Sequence, residues 1–186
     1  MNLPNKLTVI RIVLVPFFLG AMVMKFPYHF LVAAVIFLVA SATDFLDGRI
    51  ARKTNQVTVF GKLCDPLADK MLTTAALLAF MELNICNIWI PMIILAREFL
   101  VTSMRLVASS QGIVIAASLP GKIKTVTQMV FSTAIIAALA FHTEPASGNE
   151  KFVICCNILL GITALFAVIS GALYIKEGSK KIDITK

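Results

Sequence analysis

The sequence is short of the residues from which soluble enzymes build their surfaces and sites. Only 15% of its 186 residues are charged, two are histidine and one is tryptophan, while 59% are hydrophobic. The mean hydropathy is +0.89. An ordinary soluble domain holds about 45–50% apolar residues, so a fold built around an aqueous surface is excluded. No Cys-x2-Cys pair occurs among Cys64, Cys86, Cys155 and Cys156, and none of them stands at zinc-ligand spacing from His29 or His142. The four thiols read instead as small buried or interfacial residues in a reducing compartment. No cleavable signal is expected, because no small-residue cleavage site follows the first apolar run and Pro4 and Pro16 interrupt it. No internal repeat is visible. Acidic residues are scarce as well, ten against 17 basic, for a net charge of +7. The basic side chains stand mostly at the ends of apolar segments, which favours contact with anionic lipid over nucleic-acid binding.

What the chain has in abundance is apolar length. Six stretches, at about 7–24, 30–48, 61–81, 88–107, 125–141 and 152–175, approach the roughly 17–25 residues needed to cross a bilayer. The polar segment 1–6 is expected to lie at the interface. Polar connections are expected at 53–60, 109–124 and 142–151, the second being the longest. The expectation is an all-α integral membrane protein, one domain over 1–186, built as a six-transmembrane-helix bundle with a short N-terminal interfacial segment. All but Lys25, Arg97 and Lys151 of the basic residues gather on one side if both termini, the 53–60 connection and the 109–124 loop share it. By the positive-inside rule that side is cytoplasmic, giving a multi-pass protein of the cell membrane with both ends in the cytosol.

Four of the ten acids fall within residues 44–69, beside long apolar runs. An unpaired carboxylate there is costly, about 2.5–3.5 kcal/mol or more at mid-bilayer. On helices Asp44 and Asp47 are i,i+3 and Asp65 and Asp69 are i,i+4, so each pair shares a face. Two such faces turned together make a box of carboxylate oxygens, the donor set preferred by hard divalent cations such as Mg²⁺ or Mn²⁺. Helix caps or a solvated face at the membrane boundary would account for one pair. Two pairs interleaved with Gly48, Ala51 and Gly61 favour a site, since small residues let a ligand approach the backbone. A metal pair clamping a pyrophosphate there would neutralise it and stabilise the leaving oxygen.

The pattern Asp44-x2-Asp47-Gly48-x2-Ala51-Arg52-x8-Gly61-x3-Asp65-x3-Asp69 resembles the motif of the CDP-alcohol phosphotransferases, integral membrane enzymes of phospholipid synthesis. Every fixed position is present at the family's spacing. The resemblance implies CDP-diacylglycerol as donor, with its acyl chains in membrane lipid and CDP in a polar pocket. It implies that Asp44, Asp47, Asp65 and Asp69 hold two divalent ions and that Asp69 is the catalytic base on the acceptor hydroxyl. It places CDP against Asp47, Gly48, Ala51 and Gly61, with Arg52 on the pyrophosphate, and implies direct displacement at the β-phosphorus. Pro4-Asn5-Lys6-Leu7-Thr8-Val9-Ile10-Arg11 resembles the family's N-terminal stretch and brings Asn5 and Thr8 to the same mouth. For Arg11 a second reading stands beside this one, a side chain that snorkels to the head groups. The family also implies a homodimer, although no clear Gly-x3-Gly face supports one.

Ala96-Arg97-Glu98 and Gly121-Lys122-Ile123-Lys124-Thr125-x2-Gln128 are similar to the branch of the family whose acceptor is sn-glycerol 3-phosphate. Arg97, Arg105, Lys122 and Lys124 are therefore expected to include the groups that hold the acceptor's phosphate, by bidentate arginine contacts and lysine point charges. Against this stand a structural Arg97–Glu98 ion pair and a membrane-anchoring role for Lys122 and Lys124. The alternatives for the whole chain are cardiolipin, phosphatidylinositol-phosphate or phosphatidylserine synthases, and outside the family a cation transporter. A transporter should spread ionisable groups through both leaflets, whereas these four acids cluster at one end.

Overall fold

The computed structural model describes the backbone of residues 3–54, 59–113, 119–141 and 148–178, and their side chains except at 3–6, 44–54, 59–66 and 69. Among the described residues the chain forms six helices and no strand: α1 Leu3–Val23, α2 His29–Thr54, α3 Val59–Glu82, α4 Trp89–Ser110, α5 Leu119–Phe141 and α6 Glu150–Gly178. Their 21 to 29 residues correspond to about 31–44 Å at 1.5 Å per residue, against a hydrocarbon core of about 30 Å.

Prolines explain where two helices begin. Pro4 and Pro120 lie in the first turns of α1 and α5, where the missing N–H would have had no partner. As a result, part of the segment 1–6 is the opening turn of α1, and 119–124 is helix rather than loop. Asn149 caps α6 by accepting the Phe152 N–H at 3.2 Å. Gly112 closes α4 at φ +72, a left-handed conformation that glycine takes without a Cβ penalty.

Helix α1 lies in the groove between α2 and α3, and α6 lies between α4 and α5. A seam of α2 on α5 joins the two sets, and α3 touches α4 and α5 more lightly. Phe18 of α1 and Phe37 of α2 meet at 5.4 Å between ring centroids within the core. Asn157 ties α6 to the connection between α3 and α4: its amide donates to the Ile85 carbonyl at 3.2 Å, and its carbonyl accepts from the Asn87 N–H at 2.8 Å.

Around an apolar core the bundle also buries several polar side chains, and its exterior is rich in large apolar ones. Thr8, Arg11, Lys124, Gln128, Ser132, Thr163 and Ser170 are buried, while Phe17, Phe99 and Leu106 are largely exposed. Such an exterior is compatible with lipid, where polar groups must find partners inside the bundle. Helices α5 and α6 are long and apolar enough to cross a membrane, and α1 and α2 contribute shorter apolar runs over Leu7–Val23 and His29–Thr43. Ionic residues such as Lys70, Arg97, Glu98 and Arg105 interrupt α3 and α4.

Candidate active site

The two halves of the acidic motif fall on two helices. Asp44, Asp47, Gly48, Ala51 and Arg52 belong to the last three turns of α2, and Gly61, Asp65 and Asp69 to the first three of α3. Helical backbone runs through both pairs, so Asp44 and Asp47 are separated by about 4.5 Å along the axis and Asp65 and Asp69 by about 6 Å. The side chains of these eight residues and of Asn5 lie outside the described ones. Carboxylates offer oxygen donors only, which suit hard divalent cations rather than soft ones.

On α1, Thr8 and Arg11 are one turn apart and both buried, Arg11 at 1% exposure. The Arg11 guanidinium is thus held within the bundle. A snorkelling side chain would reach outward, so that reading does not describe this residue.

Among the described residues an ionic cluster centres on Glu98, on α4. Its Oε1 accepts from Lys124 Nζ of α5 and lies 3.4 Å from Arg97 Nη1. Its Oε2 is 3.6 Å from Lys70 Nζ of α3. One carboxylate therefore collects three cations from three helices. Lys124 is only 2% exposed, and an ammonium so deeply placed requires a counter-charge. Burial of the lysine follows from the early start of α5, which puts Lys124, Gln128 and Ser132 on one buried face at i, i+4 and i+8.

Arg97 has a second anchor. Its Nε donates to Ser170 Oγ of α6 at 2.9 Å, and the serine hydroxyl donates onward to the Ala167 carbonyl at 3.1 Å. Gly171 makes room for the arginine stem: a Cβ placed there would stand 3.3 Å from Arg97 Cγ. Two turns on, Arg105 Nε donates to Tyr174 Oη at 2.8 Å, and its guanidinium carbon lies 5.4 Å from that ring's centroid.

The structure thus brings Arg97 and Lys124 together through Glu98. It places Arg105 on Tyr174 and leaves Lys122 exposed on the first turn of α5. The Arg97–Glu98 pair is present and extends into a network. Lys70, Thr102, Ser170 and Tyr174 were not singled out from the sequence. Only Lys70 carried a signal there, its place directly after Asp69.

Away from this end, Cys86 is buried in the connection after α3. Burial, with Cys156 close by, pushes its thiol up to about 12.

Comparison with known proteins bears on the whole chain. The sequence model described as CDP-alcohol phosphatidyltransferase matches residues 1–172. A Bacillus subtilis (strain 168) protein named CDP-diacylglycerol–glycerol-3-phosphate 3-phosphatidyltransferase is 39% identical over 95% of this chain and 94% of its own. A Rickettsia felis protein of the same name is 35% identical over 96% of both chains. A Mycobacterium tuberculosis protein named probable phosphatidylglycerophosphate synthase is 36% identical, over 97% of this chain and 83% of its own. With two helices apolar enough to span and a match that runs from the first residue to deep within α6, the chain is a membrane protein and belongs to the CDP-alcohol phosphatidyltransferase family.

Proposed function

We propose that this chain, acting as a single domain, transfers the phosphatidyl group of CDP-diacylglycerol to sn-glycerol 3-phosphate and releases CMP. The observation that carries the acceptor is the gathering of Lys70, Arg97 and Lys124 around the single carboxylate of Glu98. Among the described residues three positive charges stand against one, an excess of two that suits a phosphate dianion. Similarity to relatives named for this reaction, over nearly the full chain, supports the same reading.

In this reading Asp44, Asp47, Asp65 and Asp69 hold two divalent cations, Mg²⁺ or Mn²⁺. Bound there, the ions would neutralise the donor's pyrophosphate and the charge on the leaving oxygen. Asn5, Thr8, Asp47, Gly48, Ala51 and Gly61 receive CDP, and Arg52 pairs with the pyrophosphate. Arg97 and Lys124 hold the acceptor's phosphate, with Arg105 and Lys122 attracting it at the rim. Asp69 takes the proton from the acceptor hydroxyl. The new P–O bond forms at the β-phosphorus as the bond to CMP breaks, with no covalent enzyme intermediate.

The same reading gives six spans, both termini and the active site on the cytoplasmic side of the cell membrane, and a homodimer. The positive-inside argument favours that orientation. A cysteine introduced at Ser147, outside the described residues, should label from the outer face only.

Purified protein supplied with CDP-diacylglycerol and a panel of alcohols tests the reaction, read as CMP release and lipid product. Glycerol 3-phosphate should be consumed at least about 1,000-fold faster than glycerol at equal concentration, because a site built around unmatched charge rejects a neutral analogue. Arg97→Gln and Lys124→Ala should raise KM for glycerol 3-phosphate far more than KM for CDP-diacylglycerol. Comparable turnover of glycerol, or equal losses for both substrates, would overturn the assignment.

A further inference from the structure

Lys70 follows Asp69 directly on α3, and its ammonium is held entirely from α4 among the described contacts. It donates to Thr102 Oγ1 and lies 3.6 Å from Glu98 Oε2. Glu98 and Thr102 are i,i+4 and share a face of α4. Thr102 is oriented for this role, since its own proton goes to the Glu98 carbonyl at 2.7 Å, leaving its lone pairs for the lysine. Helices α3 and α4 otherwise touch only lightly. Among the described contacts, the polar clasp is therefore the principal tie between the helix that bears Asp65 and Asp69 and the helix that bears Arg97.

Glu98 completes the connection because its two oxygens face different ways. Oε2 takes Lys70 of α3, while Oε1 takes Lys124 of α5 and Arg97 of its own helix. We infer that Lys70, through Glu98 and Thr102, is a positioning residue that fixes the separation between the carboxylate helix and the cations that receive the acceptor's phosphate. The inference rests on the reading of Arg97 and Lys124 as acceptor-binding residues. Its chemical sense lies in the reaction's geometry. Phosphate and attacking hydroxyl belong to one small molecule, so the phosphate's anchor sets where the hydroxyl stands relative to the β-phosphorus. Displacements near 1 Å can cost about 100-fold in rate.

Lys70→Met removes the charge and keeps the stem. It should lower kcat/KM for glycerol 3-phosphate about 10- to 100-fold, through kcat as well as KM. The KM for CDP-diacylglycerol and the Mg²⁺ concentration for half-maximal rate should stay within about twofold, because the donor half is undisturbed. Lys70→Arg, which restores the pairing, should recover most of the loss. Thr102→Val removes one half of the clasp without altering charge and should give a smaller loss of the same pattern, which keeps the test usable if Lys70→Met fails to fold. Glu98→Gln should also impair the acceptor side, and Lys70→Met/Glu98→Gln should be less severe than the product of the two single losses. A loss shared equally by both substrates, a shifted Mg²⁺ dependence, no rescue by arginine, or strict additivity would overturn the positioning role. Failure of the underlying reading looks different: the unaltered enzyme would then not prefer glycerol 3-phosphate at all.

Discussion

Gly171 offers a way to move Arg97 without touching any charged group. The glycine lies on α6 beside Ser170, and a Cβ added there would stand 3.3 Å from Arg97 Cγ and 4.0 Å from its Cβ. The first distance is tighter than ordinary van der Waals contact, so the arginine stem must yield by a few tenths of an ångström. Its terminal groups sit at 2.9 Å from Ser170 Oγ and 3.4 Å from Glu98 Oε1, and the second of these has little length to spare. For folding, two effects oppose one another. Alanine gains about 1 kcal/mol over glycine in a helix interior, and overpacking costs typically about 1–3 kcal/mol. A flexible stem puts the cost at the low end, so Gly171→Ala should unfold within about 1 kcal/mol of the parent. Acceptor binding has no such compensation. A loss of about 1 kcal/mol of guanidinium contact raises KM for glycerol 3-phosphate about fivefold, and the larger Gly171→Val should exceed that. Steady-state CMP release in detergent, with each substrate varied in turn, measures both constants, and a thermal-unfolding scan controls for the fold. Unchanged KM for glycerol 3-phosphate in both variants would refute the place given to Arg97.

On the proposed two-metal reading, Asp44→Asn, Asp47→Asn and Asp65→Asn should each reduce turnover at least about 1,000-fold while the bundle stays folded, because an amide keeps the shape and loses the charge that would hold a divalent cation. Asp69→Asn should be as inactive but retain more metal affinity, as titration with Mn²⁺ would register. Cys86, pushed up to about 12, is thiolate in only about one molecule in ten thousand at pH 8, so its alkylation should be slow and should accelerate with rising pH. Mass spectrometry after a timed iodoacetamide pulse would follow this, and fast labelling at pH 8 would contradict the burial. Ser132 Oγ is buried without a hydrogen-bond partner among the described residues, so Ser132→Ala should be neutral or stabilising by up to about 1 kcal/mol in the same unfolding scan.

The acidic motif was legible because its signal is local. Two acid pairs at helical spacing, separated by small residues and set in apolar sequence, define a helix face before any fold is known, and both pairs do lie on helices. Helix existence was equally plain from apolar length. Boundaries were less so: Gly121-Lys122-Ile123-Lys124 reads as polar loop, and only Pro120 marks it as the first turn of α5. That shift decides the fate of Lys124, which is a surface anchor on a loop but a buried partner of Glu98 on a helix. The Lys70 clasp was not legible at all. It depends on Glu98 lying 28 residues from Lys70 and 26 from Lys124, and periodicity within one helix carries no information about which neighbour that helix meets. Arg97 seemed in sequence to have only its neighbour Glu98, and the fold supplies Ser170 from 73 positions away.

Glu98 also explains why such a concentration of cations is compatible with an apolar bundle. Lys124, almost without solvent, would be destabilising as an isolated ammonium, and the carboxylate's proximity makes its charge tolerable. One carboxylate cannot neutralise three cations, so the cluster stays attractive to an anion even while its members are held. Simple Coulomb reasoning would then have Glu98→Gln strengthen phosphate binding, since it removes the only negative charge in the cluster among the described residues. Geometry argues the opposite. Without the carboxylate, Lys70, Arg97 and Lys124 repel one another across a few ångströms in a medium that screens poorly, and the two lysines retain long, flexible stems. Ordering them again would fall to the acceptor itself, at the expense of its affinity. The carboxylate therefore lowers the cluster's charge by one and in exchange holds the remaining charge in place, and for a reaction that depends on alignment the second effect outweighs the first.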